Sequence, residues 1–121
     1  MENEKLVVIS TLDASNPEKA TLPFVIAVAA LASDIEVTMF LQSDAVLLAK
    51  KGEAEKIKAK GLLPLKELLD TFMELEGKFY LCSPCIKERN ISTEELVEGS
   101  ELAAAGTLVD EIMSAKSVVT Y

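Results

Sequence analysis

The sequence predicts an α/β fold built on a parallel sheet, and three observations carry that prediction. Lys5-Leu6-Val7-Val8-Ile9-Ser10 is a near-continuous apolar run of strand length, the pattern of a strand buried on both faces. A helix-patterned stretch separates it from a second strand, Ile35 to Leu41, which alternates and then turns fully apolar, and strand, helix, strand at this spacing makes a right-handed crossover unit. A third run, Phe79 to Leu81, ends at a thiol and turns at once into a helix start. With 121 residues, 50% of them apolar, the chain can bury a proper core, and residues 1–121 read as a single domain without repeats, linkers or low-complexity segments.

Taken in order, Lys5 to Ser10 is expected to be the first, central strand. Thr11 to Asn16 is a polar loop, and Asn16-Pro17 with Glu18 in the first turn starts a helix that runs to about Ser33. Its apolar run from Leu22 to Ala32 is too short to span a bilayer, so it reads as a core helix whose alanine-rich face packs closely on a sheet. After the second strand, Gln42-Ser43-Asp44 caps a short apolar helix from Ala45 to Ala49. Lys50 to Gly61 holds five lysines and two glutamates, which reads as a solvated loop or frayed helix, or as a docking patch for an acidic partner or an anionic ligand. Pro64 opens a helix to about Glu76 whose Leu65, Leu68, Leu69, Phe72 and Leu75 form one core stripe, and Gly77 ends it. Asn90 suits a left-handed helix terminator, and Ser92-Thr93-Glu94-Glu95 has capping-box spacing. Gly99 to Ala105 is alanine-rich enough for helix yet lies where a fourth parallel strand would fall. Thr107 to Ala115 patterns as an amphipathic helix, and Ser117 to Tyr121 as a last strand.

Charge and composition bound the function. A net charge of −8 argues against a nucleic-acid partner, because neutralising phosphates needs a positive surface that the composition lacks overall, and is compatible with a basic protein partner. Met1-Glu2-Asn3-Glu4-Lys5 lacks the basic start of a signal peptide, so the expected location is the cytoplasm, with no membrane partner. Two cysteines three positions apart and no histidine cannot form a disulfide framework, and a closed zinc site would need ligands from a second chain, so neither metal nor cofactor is expected.

The chemistry concentrates at Cys82-Ser83-Pro84-Cys85. Ser83-Pro84 reads as an N-cap followed by proline at the first helical position, which puts Cys82 on the strand-to-helix corner. The positive end of a helix favours a thiolate there, and a pKa falling from about 8.5 to roughly 7 would raise the ionised fraction near neutrality from a few per cent to about half. C-x-x-C at such a corner is the arrangement of disulfide exchange, in which one cysteine attacks and the other resolves; two buried thiols acting as small hydrophobes is the alternative. Because ligands in open α/β sheets collect beyond the carboxyl ends of the strands, Thr11, Asp13, Ser43, Asp44 and Ser83 are the candidate substrate-binding residues beside Cys82 and Cys85. Plain loop solvation would equally account for Thr11 and Asp13.

The order of elements, the run Cys82-Ser83-Pro84-Cys85-Ile86-Lys87-Glu88-Arg89-Asn90-Ile91, the ending Ala115-Lys116-Ser117-Val118-Val119-Thr120-Tyr121, and Asp44-Ala45-Val46 followed by Lys50-Lys51-Gly52 resemble the DsrE/DsrF-like sulfur-relay family, which includes the TusD subunits. The resemblance covers nearly the whole chain. It implies a three-layer sandwich with a roughly five-stranded parallel sheet between helices, assembled as a homotrimer or hexamer. In sulfur-transferring members a cysteine at the end of the third strand carries a persulfide and the following helix ends near Arg-Gly. Cys82 matches that cysteine, Arg89 the arginine and Asn90 the glycine. The resemblance therefore implies that Cys82 receives sulfur from a donor protein's persulfide and passes it to an acceptor protein, with sulfurtransferase chemistry its enzymatic form. Cys85 departs from the TusD-like pattern, since it could attack a Cys82 persulfide, expel sulfide and close a disulfide. Two further expectations stand beside relay: a thiol-disulfide or peroxide reductase using Cys82 and Cys85, and a structural or regulatory subunit whose thiols are incidental.

Overall fold

The computed structural model describes residues 4–121; Met1, Glu2 and Asn3 lie outside the described residues. Five strands, β1 (Lys5–Ser10), β2 (Glu36–Leu41), β3 (Lys78–Cys82), β4 (Ser100–Ala103) and β5 (Ser117–Thr120), form one all-parallel sheet in the order β4-β3-β2-β1-β5. The middle position belongs to β2, and β1 lies between it and the edge strand β5. Parallel strands need crossovers: α1 (Pro17–Ala32) and α2 (Leu65–Glu74) link neighbouring strands, and α4 (Ala105–Ser114) carries the chain from the β4 edge of the sheet to the β5 edge. A short helix, α3 (Ser83–Glu88), leads from β3 toward β4.

Alternation along the strands divides the core into two. Val8, Val37, Met39, Leu41, Phe79 and Leu81 point toward α1 and α2, where Phe24, Phe72 and Phe79 meet with ring centroids 5.8 to 6.4 Å apart. Val7, Ile9, Phe40 and Ala103 point the other way, toward α4, with Tyr80, Leu108 and Ile112 packed against them. The three-layer sandwich is thus the observed architecture, with a thick layer on one side and a single helix on the other.

Local chemistry explains the element boundaries. Asn16 caps α1 by accepting the Lys19 amide on its side chain, and Pro17 occupies the first turn, where no amide partner is needed. Residues 43–49 and 54–56 wind as 3₁₀ turns rather than as an α-helix with a side-chain cap, and the 93–95 turn also lacks a cap bond from Ser92 to the backbone. Between the lysines of residues 50–61, Ala54, Ile57 and Ala59 are buried, so that segment is pinned to the core by its small apolar residues. Lys50 and Lys56 pair with Glu95 and Glu53.

Two expectations about α2 need correction. Leu75 lies past the last helical turn and is 42% exposed, so the stripe ends at Phe72. Glu76, not Gly77, takes the left-handed conformation, at φ 64°. Gly77 is required for a different reason: a Cβ there would collide with the ring of Phe72. Asn90 does adopt the left-handed conformation, at φ 53°, where a short polar side chain is tolerated. Residues 100–103 resolve the ambiguity of the 99–105 segment as strand, because pairing with β3 satisfies their backbone.

Candidate functional site

At the carboxyl end of β3, Cys82 is both the last residue of the strand, paired with Ala103, and the cap of α3. Its Sγ accepts the Cys85 amide at 3.4 Å. The cap therefore lies one residue earlier than Ser83, and Ser83 and Pro84 become the first two residues of α3. A sulfur at the corner does what the serine hydroxyl was expected to do. It also ties the two cysteines together through one turn of backbone.

The loop leaving β2 closes the site from the neighbouring strand. Ser43 turns there with φ 54°, a backbone region costly for a residue with a Cβ, and its amide donates to Cys85 Sγ at 3.3 Å. The next residue, Asp44, accepts from Arg89 through Nη2 at 2.7 Å and Nε at 3.3 Å. Arg89 in turn donates Nη1 to the Cys85 carbonyl at 3.2 Å. Loop and helix are thus clamped on each other around Cys85, with a guanidinium one turn beyond it.

Electrostatics at Cys82 run opposite to the expectation of a depressed pKa. Its side chain packs against both core clusters, and that burial pushes its thiol above the ordinary range; the adjoining Cys85 pushes the same way, against a smaller lowering by the Cys85 amide and by Arg89. The physical reason is that α3 has only six residues, too short to outweigh apolar surroundings. Asp13 lies in the field of the same arginine, but its carboxyl is held below the ordinary range chiefly by the Ser15 hydroxyl, which donates to it at 2.6 Å.

Of the residues predicted to gather here, the structure brings Ser43 and Asp44 against Cys85 and Arg89, with Asp13 in electrostatic reach. Ser43 contributes its backbone amide rather than its hydroxyl. Thr11 spends its hydroxyl on the Tyr121 carbonyl at 2.7 Å, on the β5 side of the sheet, away from the thiols. Arg89 was absent from the candidate binding residues. Two signals pointed to it: its match to the arginine of the resembling family, and its spacing of four from Cys85, which puts both on one face of a helix.

Other surface features do not compete. A groove of about 710 Å³, lined by Lys5, Glu36, Thr38 and Lys78 among others, opens at the amino ends of the strands, opposite the cysteines, and carries charges of both signs. Among the described residues no three His, Cys, Asp or Glu side chains gather to ligate a metal, and no helix is long and apolar enough to cross a membrane.

Comparison with known proteins places the fold and the lineage. The chain is 34% identical over 117 residues to the uncharacterized protein MJ0989 of Methanocaldococcus jannaschii, covering 97% of this chain and 99% of that one. It is 33% identical over 107 residues to MJ0760 of the same organism, covering 88% of this chain but only 39% of that longer protein. Among solved structures, the ychN protein from E. coli superposes with a TM-score of 0.82 at 24% identity, over 99% of this chain and 100% of that one. MTH1491 from Methanobacterium thermoautotrophicum superposes with a TM-score of 0.71 at 14% identity, over 98% and 99%. At these identities the two structures speak for the fold alone. Residues 4–121 match the DsrE/DsrF-like family, and the chain belongs to that family.

Proposed function

We propose that this chain is a cytoplasmic sulfur-relay protein that carries sulfur as a persulfide on Cys82 and passes it to an acceptor protein. The observation that carries this reading is the corner itself. Two thiols, a donated amide on each sulfur and an anchored guanidinium meet at the carboxyl ends of β2 and β3. Membership in a family generally related to sulfur relay agrees with it. In the loading step a thiolate of the Cys82–Cys85 pair attacks the outer sulfur of a donor persulfide, the donor's S–S bond breaks, the donor thiolate leaves, and the sulfur comes to rest on Cys82. In delivery an acceptor thiolate attacks the outer sulfur on Cys82, and the Cys82 thiolate leaves. Each step conserves sulfur and charge and needs no metal or cofactor. Assembly with further copies of the chain, as a trimer or hexamer, is part of the proposal, and sedimentation measures it.

The experiment is incubation with a persulfide donor followed by peptide mass spectrometry. One added sulfur on the Cys82 peptide supports the reading, and a wild-type protein that gains none sinks it.

A second reading, a thiol-disulfide or peroxide reductase, draws on the contact between the Cys85 amide and the Cys82 sulfur, which holds the pair close. Cys85→Ser separates the two. Final loading of Cys82 survives that change in a relay protein, whereas disulfide turnover disappears in a reductase. A regulatory subunit with inert thiols would instead resist alkylation under native conditions.

A further inference from the structure

The two sulfurs of the corner face different surroundings, and the relay reading above does not use that difference. Cys82 is wedged between the two apolar clusters, and its Sγ accepts only the amide of its own helix turn. Cys85 packs against one cluster alone, and its Sγ accepts an amide from another strand's loop, that of Ser43. That amide is aimed by a left-handed serine, a conformation costly enough to need holding in place. The holding is done by Asp44 and Arg89, and Arg89 is itself fixed to the Cys85 carbonyl. A guanidinium bonded to both Asp44 and the Cys85 carbonyl, and an amide already donating to the sulfur, favour an anionic sulfur.

We propose that sulfur enters this protein at Cys85 and is then handed inward to Cys82, with Cys85 as the attacking thiolate and Cys82 as the storage site. The inference rests on the sulfur-relay reading. In the first step the Cys85 thiolate attacks the outer sulfur of a donor persulfide, RS–SH. The donor's S–S bond breaks, RS⁻ departs, and Cys85 carries S–SH. In the second step the Cys82 thiolate, formed as its proton passes to a base, attacks that outer sulfur. The Cys85 S–S bond breaks, Cys82 carries the persulfide, and Cys85 returns as the thiolate held by Ser43 and faced by Arg89. No oxidant or reductant is consumed, because one S–S bond forms as another breaks. The roles are the reverse of the arrangement in which the first cysteine of a C-x-x-C attacks. The burial that pushes the Cys82 thiol up works in the same direction, since it disfavours Cys82 as the first attacking thiolate.

The test is a time course with glutathione persulfide as the probe, quenched with iodoacetamide and read by peptide mass spectrometry on the full chain. Wild-type protein should show added sulfur on Cys85 before Cys82. Cys82→Ser should strand the sulfur on Cys85. Cys85→Ser and Cys85→Ala, checked for native circular dichroism, should slow Cys82 loading by at least about tenfold while reaching the same end point. Native alkylation of the untreated protein should label Cys85 first. Loading of Cys82 at the wild-type rate in both Cys85 variants, alkylation in the opposite order, or release of sulfide with a Cys82–Cys85 disulfide would each overturn the hand-over. Those results differ from failure of the relay reading itself, in which neither cysteine of the wild-type protein gains sulfur.

Discussion

On the α1–α2 side of the sheet, three phenylalanine rings from three different elements meet, Phe72 edge to face with both Phe24 and Phe79, and Phe24, Phe72 and Phe79 are each at most 2% exposed. On the α4 side the covering helix contains no buried residue, and Val109 and Met113 stand 56% and 79% exposed. Beside the half-buried Leu108 and Ile112, α4 is held down by polar bonds. Glu111 accepts from Thr38, a residue with no exposure, at 2.5 Å and from Lys5 at 3.3 Å, and Lys5 also donates to Ser114. One face is sealed by apolar area, and the other joins a thinner apolar contact to a charged latch. The difference teaches that most of the buried apolar area lies under α1 and α2, while α4 is seated by Leu108, Ile112 and a few directional bonds and keeps apolar surface free. The thiols lie where the two regimes meet, since Cys82 packs against both clusters.

Phe72→Ala should test the sealed face hardest. It opens a cavity among the rings and beside Gly77, and chemical denaturation should register a loss of about 3–5 kcal/mol. A loss under about 1 kcal/mol would mean that the two faces do not differ as described.

Glu111→Ala should release the latch, leaving the Thr38 hydroxyl buried and unpaired, at a cost of about 1.5–3 kcal/mol in the same measurement. The latch also gives stability a pH dependence. Despite burial, the bonds from Thr38 and Lys5, with the nearby charge of Lys78, hold the Glu111 carboxyl below the ordinary range. A carboxyl whose folded pKa lies below its unfolded one contributes fully above the unfolded value, and that contribution is lost as pH falls through the folded one. Wild-type protein should therefore lose this increment below about pH 4.3, the ordinary glutamate value, and Glu111→Ala should lose less over the same interval. Equal acid sensitivity in the two proteins would remove Glu111 from the account.

Ser10→Ala should change stability in the other direction. The Ser10 hydroxyl is buried at the carboxyl end of β1 without a hydrogen-bond partner among the described residues, so deleting it should gain about 1 kcal/mol. A loss of that size would instead point to a partner for the hydroxyl in solution.

The smallest effect belongs to the free surface of α4. Met113→Ser should leave monomer stability within about 0.5 kcal/mol, because the side chain it replaces is already in water. Should copies of the chain assemble through that helix, sedimentation of the variant would show a lower mass.

Most of the fold was legible in the residues, for local reasons. The apolar runs at residues 5–10 and 79–81 and the alternating, then apolar, run at 35–41 are strand patterns, and Asn16-Pro17 and Asn90 announce their backbone conformations by chemistry. The misreadings were also local in origin. Leu75 shares the period of its helix but falls beyond the last turn, and period alone does not say where a helix stops. Gly77 invites a left-handed reading because glycine tolerates it, whereas the constraint is a ring five residues earlier packed against its Cα. The capping role moved from Ser83 to Cys82 because β3 keeps pairing with β4 up to the cysteine itself.

The candidate site divides along the same line. That a thiol stands at the end of the third strand, three residues before another, is a property of the sequence, because strand, proline and helix are set by neighbours in the chain. That Cys85 rather than Cys82 receives the Ser43 amide, and that Cys82 is pushed toward its protonated form, is decided only in the folded molecule. Ser43 and Cys85 lie 42 positions apart and meet because β2 and β3 are paired in one register. Burial between two clusters likewise depends on which helices cover which face. A pKa is the sum of such through-space terms, so no reading of spacing alone could have given its sign.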